Sequence, residues 1–214
     1  MLRLSAVVLV VLYSSFVRDE ANAAEPAETL RSIGGLVQPI AQSDPRLDVA
    51  LHLADEDVTD DTLDTVVAFD AAQPDGGKVA WLNLAGTAIT DAGCDRLAKL
   101  GSLERLHLER TTITDAGLAK LATLKNLQYL NLYGTKVTEA GLATIASLPA
   151  IEKVYVWQTG VSEDAIATFR SEHPEVNLVG AVTAKPVEAV EDKAEQKTHA
   201  DSRCRVEGGG SSRR

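Results

Sequence analysis

One unit of 24 residues recurs four times between residues 79 and 174, and this repetition constrains the fold more than any other feature of the chain. The copies span residues 79–102, 103–126, 127–150 and 151–174. Equivalent apolar residues therefore recur at a constant step, as at Leu82, Leu106, Leu130 and Val154. A fixed period of roughly 20 to 29 residues, with an LxxLxL pattern at the head of each unit, is typical of a solenoid.

Each unit contains two apolar periodicities. Leu106 and Leu108 are two positions apart, which is the spacing of a strand with one buried face. Leu118, Leu121 and Leu124 recur every third position, which is the spacing of the inner stripe of a helix or helical turn. One unit cannot bury its apolar side alone, whereas stacked units share a continuous core. The sequence therefore predicts an α/β solenoid with a parallel sheet on one face and helices on the opposite face.

A helix start is predicted between the two halves of each unit. The N-cap positions hold hydroxyl residues, each followed by Asp or Glu, at Thr90, Thr114, Thr138 and Ser162. Such a hydroxyl accepts a hydrogen bond from a free backbone N–H, and an acidic first turn suits the helix dipole. Glycine inside that turn costs roughly 1 kcal/mol against alanine. We therefore interpret Gly93, Gly117 and Gly141 as points of close approach between adjacent coils.

The copies resemble leucine-rich repeats, and the T-x-[IV]-T-D-A-G-L run resembles the subfamily found in bacterial extracytoplasmic proteins and eukaryotic F-box proteins. The resemblance covers roughly residues 51–180. It implies a right-handed leucine-rich repeat solenoid with the sheet on its concave face, used as a binding scaffold for varied partners. Many such proteins place Asn where this chain has Thr87, Thr111, Thr135 and Thr159. We expect these threonine hydroxyls to bond backbone groups of neighbouring coils.

Residues 1–23 are predicted to be a secretory signal peptide. Arg3 precedes an almost wholly apolar run from Leu4 to Val17, and Ala21-Asn22-Ala23 has the small residues of an A-x-A cleavage site. The apolar run is short for a membrane span, and cleavage is expected after Ala23. An uncleaved anchor is the alternative. The mature protein is therefore expected to be extracytoplasmic, either periplasmic or secreted.

Residues 24–48 are predicted to form an N-terminal cap before a solenoid that spans residues 49–180. A short helix is expected to end at Gly34-Gly35. The open end of the solenoid then needs apolar cover, which is offered by Leu36, Val37 and Ile40.

Both ends of the repeat array are less regular than its middle. Residues 49–78 form a degenerate first repeat, in which we take Leu51 as the equivalent of Leu82. A last strand is expected at residues 176–179. Residues 185–214 lack periodic apolar residues and are predicted to be a disordered tail.

The formal net charge of −10 argues against nucleic acid and against an anionic membrane as partners of the mature form. Cys94 stands at a position that holds an apolar residue in the other copies, so a buried thiol is expected there. Cys204 lies in the tail. A monomer is expected, with a disulfide-linked dimer through Cys204 as the alternative. No cofactor is expected.

The strand alternation predicts which side chains leave the concave face. If Leu82 and Leu84 point inward, their odd-numbered neighbours point outward, and the repeat carries this pattern through every coil. Solvent-facing aromatic residues gathered on one surface are typical of a binding face. The predicted partner-binding residues are Trp81, Asn83, Arg105, His107, Glu109, Tyr129, Asn131, Tyr133, Lys153, Tyr155 and Trp157.

Two chemical alternatives are weaker. His107 and Glu109 share a strand face, as a general base and an orienting carboxylate would, but no recognisable nucleophile accompanies them. His52 and His107 are too far apart in the predicted sheet to converge on zinc. An acidic cluster suggests calcium but lacks the glycine and the terminal glutamate of an EF-hand loop, in Asp55, Glu56, Asp57, Asp60, Asp61 and Asp64. No metal site or catalytic residue is therefore predicted.

These patterns together predict an exported, non-enzymatic binding module that recognises a protein through its concave sheet, with a glycan as the other ligand class. The alternative is a structural or envelope-matrix module that contacts partners by its flank or tail. A hydrolase-like activity around His107 and Glu109 is a distant third hypothesis.

Overall fold

The computed structural model describes residues 25–54, 57–74 and 77–180, and within them the chain folds into one seven-stranded sheet with helices. The strands are β1 Leu36–Ala41, β2 Asp44–Ala50, β3 Val79–Asn83, β4 Arg105–His107, β5 Tyr129–Asn131, β6 Lys153–Tyr155 and β7 Asn177–Val179. They lie in the sheet in chain order. The first pair, β1 and β2, is antiparallel, and every later pair is parallel.

Short helices alternate with the strands. They are α1 at residues 25–32, α2 Thr62–Ala72, α3 Cys94–Leu97, α4 Asp115–Lys120, α5 Ala140–Ser147 and α6 Glu163–Glu172. The helix α4 continues into a 3-10 turn at Leu121–Thr123. Because a coil of 24 residues must also hold a strand and two turns, it leaves room for only a few helical turns. The predicted fold class, an α/β leucine-rich repeat solenoid, is confirmed.

The repeat step fixes the core. Leu106 pairs with Leu82 on one side and with Leu130 on the other, and all three side chains are fully buried. The register continues to Val154 and then to Leu178 in β7. Because each coil presents the same apolar residues to the next, the core is one continuous ladder of mostly leucine side chains.

The N-terminal end differs from the sequence prediction. Val49, and not Leu51, lies opposite Leu82, so the predicted alignment of the first coil is wrong by two residues at the strand. The cause is the hairpin of β1 with β2, which the sequence analysis missed and which sets the register of β2. The predicted border between cap and first repeat, at residues 48 and 49, consequently falls inside β2. Leu36 is also 53% exposed in β1, so it does not serve as apolar cover.

A ladder of acidic side chains ties successive coils together on the helix side. Asp91 Oδ1 accepts the backbone N–H of Thr114 at 2.8 Å, and Asp91 Oδ2 accepts its hydroxyl at 2.6 Å. The same two bonds join Asp60 to Thr90 and Asp115 to Thr138, and a single hydroxyl bond joins Glu139 to Ser162. The acid that follows each of these threonines therefore serves the next coil. Of the four predicted N-caps, Thr114 and Ser162 hold that position, whereas the helices after Thr90 and Thr138 begin later, with Gly93 and Glu139 as their N-caps.

The glycine that three of the helix starts contain makes room for this ladder. A Cβ on Gly117 would lie 2.3 Å from Asp91 Oδ1 and 3.0 Å from Cys94 Sγ. The equivalent positions, Gly93 and Gly141, would meet Asp60 and Asp115 at 2.4 and 2.6 Å. The glycine thus admits the carboxylate of the preceding coil to the backbone of the following one.

The threonine ladder bonds differently from the expectation. Thr111 and Thr135 are buried, but their hydroxyls donate to Leu108 O and Leu132 O within their own coils, both at 2.8 Å. The predicted bond to neighbouring coils is therefore wrong. A single hydroxyl that already closes a turn of its own coil has no second donor to spare, whereas the two-donor amide of Asn would have one.

Several predictions concern segments outside the described residues. These are the signal peptide at residues 1–23, the tail at residues 185–214 and the thiol of Cys204. Over the range that the structure describes, none of the helices has the length and apolar character needed to cross a lipid bilayer.

Candidate binding surface on the concave sheet

The strand register brings the predicted binding residues together in three rows. Row 1 contains Asp48, Trp81, Arg105, Tyr129, Lys153 and Asn177. Row 2 contains Ala50, Asn83, His107, Asn131, Tyr155 and Val179. Row 3 lies just beyond the strand ends, where coil-to-coil backbone bonds align Ala85, Glu109, Tyr133 and Trp157. None of the eleven predicted residues is buried, because the alternation turns their neighbours into the core.

Aromatic rings meet at the centre of this surface. The rings of Tyr129 and Tyr155 contact each other with centroids 5.6 Å apart, and the ring of His107 lies 4.9 Å from Tyr129. Trp157 is 42% exposed at the C-terminal side. Every Trp and Tyr residue that the structure describes lies in these rows. Such rings offer a large contact area with little loss of side-chain freedom on binding.

Three cations lie over three of the rings. The guanidinium of Arg105 is 4.3 Å from the ring centroid of Trp81, and that of Arg110 is 5.7 Å from Tyr133. The ammonium of Lys153 is 5.1 Å from the ring centroid of Tyr155. Each cation is thereby held against the sheet by attraction to the ring face.

The surroundings of Tyr129 and Lys153 raise the pKa values of both side chains. Burial raises the pKa of the Tyr129 hydroxyl, and the nearby Tyr155 and Glu109 act in the same direction. Hydrogen bonding with Tyr155 raises the pKa of Lys153. At neutral pH the Tyr129 hydroxyl is therefore uncharged and the Lys153 ammonium is positively charged.

A polar network occupies the middle of rows 2 and 3. Glu109 Oε1 lies 2.9 Å from His107 Nδ1 and accepts a hydrogen bond from Asn131 Nδ2 at 2.5 Å. Glu109 Oε2 is buried and has no hydrogen-bond partner among the described residues. Within the same range, His107 has no hydrogen bond to a hydroxyl or thiol that could act as a nucleophile. The network thus joins Glu109 to His107 and Asn131 and orients their side chains.

Arg110 is a surface residue that the sequence analysis missed. It has a backbone φ of 57°, in the left-handed region, and Gln158 has a φ of 55° at the equivalent position two coils later. The coil before Arg110 and the coil between Arg110 and Gln158 use glycine there, at Gly86 and Gly134, with φ values of 72° and 68°. The alignment of an arginine with two glycines in the repeat was the available signal, because glycine alone adopts this conformation without strain.

A cavity of about 340 Å³ lies at the N-terminal end of the surface, where the β1–β2 hairpin faces β3 and β4. Leu36 and Gln38 line it from the hairpin, and Trp81 and His107 line it from the repeats. His52 is a further lining residue. In the described ranges, no three His, Cys, Asp or Glu side chains converge as a metal ion would require.

Comparison with known proteins agrees with the repeat assignment. A family model described as leucine-rich repeat matches residues 102–122. No curated protein sequence matches the chain. The matched segment lies within the four in-phase copies that form the stacked sheet, which agrees with the fold of a leucine-rich repeat solenoid. The fold of the chain suggests a protein-binding module, because such solenoids typically serve as non-enzymatic binding scaffolds.

Two solved structures are similar to part of the chain. A leucine-rich repeat protein of Leptospira interrogans is 18% identical, with a TM-score of 0.37, over 53% of this chain and 32% of that one. An internalin of Listeria monocytogenes is 13% identical, with a TM-score of 0.36, over 54% of this chain and 36% of that one. The matched part therefore spans about a third of the length of each of these structures.

Proposed function

We propose that this protein is an exported module that binds another protein through the concave surface formed by rows 1 to 3. The observation that carries the proposal is the ring cluster of His107, Tyr129 and Tyr155, which is half-buried on the same face as the exposed Trp157. Covering the parts of these rings that still face solvent with a partner would remove further apolar area from water. The cations over the rings supply the polar surroundings of such an anchor.

The partner-binding test uses the double variant Tyr133→Ala with Trp157→Ala. Because Tyr133 is partly exposed and Trp157 is exposed, this variant should unfold near the wild-type temperature. It should lose most of the partner protein that immobilised wild type captures from an extracytoplasmic fraction, at about 2 kcal/mol or more per anchor. Leu53→Ala is the matched control, because Leu53 is 74% exposed and lies outside the three rows.

The captured protein is identified by mass spectrometry and its affinity is then measured with purified components. Binding that the double variant loses and the control keeps would support the concave surface. A double variant that is folded and still binds normally would refute it, and would favour the structural module that contacts partners by its flank or tail. An early-unfolding double variant would show that the rings support the core.

Export is proposed from the arrangement of residues 1–23 and from the resemblance of the T-x-[IV]-T-D-A-G-L run to extracytoplasmic proteins. The sequenced N-terminus of the mature protein should be Ala24. Replacing Ala21 and Ala23 with larger residues should block this processing. An unprocessed N-terminus in the wild type, with the protein in the membrane fraction, would instead establish an anchor.

A further inference from the structure

The charges of the concave surface point to the chemistry of the partner. Arg105, Arg110 and Lys153 are each held over an aromatic ring. Among the described residues, none of these three cations forms an ion pair. Three positive groups therefore remain unneutralised on one face of a protein whose formal net charge is −10.

Two acids of the concave surface, Glu109 and Asp48, form no ion pair with these three cations. The Oε1 atom of Glu109 is shared by His107 and Asn131, and its Oε2 atom is buried. Asp48 lies on β2, two strands from Arg105, and accepts a hydrogen bond from Gln38 at 3.3 Å. The concave surface thus offers positive charge to a ligand, because neither of these carboxylates pairs with Arg105, Arg110 or Lys153.

The spacing of the two strands that carry Arg105 and Lys153 fits a particular peptide backbone. Arg105 on β4 and Lys153 on β6 occupy the same row, with Tyr129 between them. Two strand spacings amount to about 9.6 Å. Residues three apart in a polyproline II helix point to the same side and are separated by about 9.3 Å. Carboxylates at such positions would match the spacing of β4 and β6, and the segment between them would pass over the Tyr129 ring.

We propose that the concave surface recognises an acidic segment of the partner protein, in a polyproline II conformation, with carboxylates three residues apart. This inference rests on the proposed binding function. Arg105 and Lys153 bind two carboxylates along row 1, and Arg110 adds positive charge at row 3. The rings beneath the cations hold them in place, which reduces the side-chain entropy lost on binding.

The probe is a fluorescein-labelled peptide of repeated Glu-Pro-Pro, measured by fluorescence anisotropy. Two matched peptides separate charge from spacing, one with every Glu replaced by Gln and one with Glu at every second position. Wild-type protein should bind the Glu-Pro-Pro peptide at least about tenfold more tightly than either control peptide, and the affinity should fall at high salt. Equal binding of the Gln peptide, or no binding of the Glu-Pro-Pro peptide, would overturn the proposal.

The protein variants are Arg105→Glu with Lys153→Glu, against Lys99→Glu with Lys125→Glu. The control cations are exposed, lie outside the sheet and also have no ion pair among the described residues, so both pairs change the net charge equally. The first pair should weaken peptide binding at least about tenfold, and the control pair should not. An equal loss of peptide affinity in both double variants would mean that only the net charge of the protein matters, which would refute the proposed site. Arg105→Gln with Lys153→Gln gives the same comparison if the Glu pair does not fold.

The failure of this inference differs from the failure of the binding function. Partner capture that depends on Tyr133 and Trp157, but not on Arg105 and Lys153, would refute the acidic segment and keep the concave surface. If a sulfated glycan displaces the peptide and binds more tightly than it does, the ligand of the concave surface is a glycan and the proposed acidic protein segment is refuted. Capture that none of these variants alters would refute both proposals.

Discussion

Replacing Gly117 by alanine should destabilise the protein, although helix propensity alone predicts the opposite. In a helix, alanine is favoured over glycine by about 1 kcal/mol. Here the new Cβ would lie 2.3 Å from Asp91 Oδ1, so the carboxylate must retreat by about 1 Å to reach an ordinary contact. Its bonds to Thr114, now 2.8 and 2.6 Å long, would then exceed hydrogen-bond distance.

The size of the effect follows from those two bonds. A hydrogen bond to a charged group contributes about 1.5–3 kcal/mol, and Asp91 is only partly buried, so the lower end applies to each bond. Subtracting the propensity gain leaves a net loss of about 1–3 kcal/mol for Gly117→Ala. For a domain of this size, that lowers the melting temperature by about 2–4 °C per kcal/mol.

The assay is thermal and urea unfolding of a double-mutant cycle with Asp91→Ala. In that background the carboxylate is absent, so Gly117→Ala should become neutral or stabilising. Gly101→Ala is the control, because a Cβ at that position would meet no neighbouring coil within 4 Å, and it should change stability by less than about 1 kcal/mol. A Gly117→Ala protein as stable as wild type, or the same loss in both backgrounds, would refute the ladder as the reason for the glycine.

Two further predictions concern buried groups. Thr135→Val should cost about 1 kcal/mol in a denaturant melt, because the lost hydroxyl bond leaves Leu132 O with the backbone N–H of Thr135 as its remaining donor. An unchanged melt would mean that this bond contributes nothing. Burial raises the pKa of the Cys94 thiol to about 12, so in a Cys204→Ser variant it should resist a thiol reagent until denaturant is added. Between about pH 9 and 12 the unfolded thiol ionises first, so Cys94 should lower stability as pH rises, and Cys94→Ala should lessen that slope.

The parts of the fold that repeat could be predicted, because periodicity reports which side chains a coil shares with its neighbours. Once Leu82 and Leu106 were equivalent, the positions of Trp81 and Arg105 in one row followed from strand alternation alone. The β1–β2 hairpin occurs once, and Leu36 faces solvent there, so neither a repeat nor an apolar pattern marked its register.

Hydrogen bonds between coils could not be predicted from the sequence, for a different reason. The residue pair Asp91 and Thr114 is 23 positions apart, and its bond depends on how closely two coils approach. A carboxylate after an N-cap has a sufficient local explanation in its own helix dipole, which conceals its role in the next coil. The cations over the rings likewise depend on side-chain rotamers that the repeat period does not determine.

The backbone of Arg110 offers a test that separates stability from binding. Arg110 and Gln158 both adopt the left-handed conformation that the equivalent Gly86 and Gly134 adopt without strain. The left-handed conformation destabilises a folded L-residue by about 1–2 kcal/mol. Glycine avoids this cost but loses more conformational entropy on folding, which offsets about 0.5–1 kcal/mol of the gain. Gln158→Gly should therefore stabilise the protein by up to about 1.5 kcal/mol.

Arg110→Gly relieves the same strain but loses the contact of the guanidinium with the Tyr133 ring. The lost contact destabilises the fold by about 0.5–1 kcal/mol, so the free energy of unfolding should stay nearly unchanged. The affinity of this variant for the Glu-Pro-Pro peptide should nevertheless fall severalfold, because one positive charge leaves the concave surface, whereas Gln158→Gly should bind as wild type does. Urea unfolding and fluorescence anisotropy on the same preparations measure both quantities. Equal affinity of the two variants would remove Arg110 from the binding surface. A loss of stability by Arg110→Gly above about 1.5 kcal/mol would mean that its strained backbone is kept for packing against the neighbouring coil, and not for a ligand.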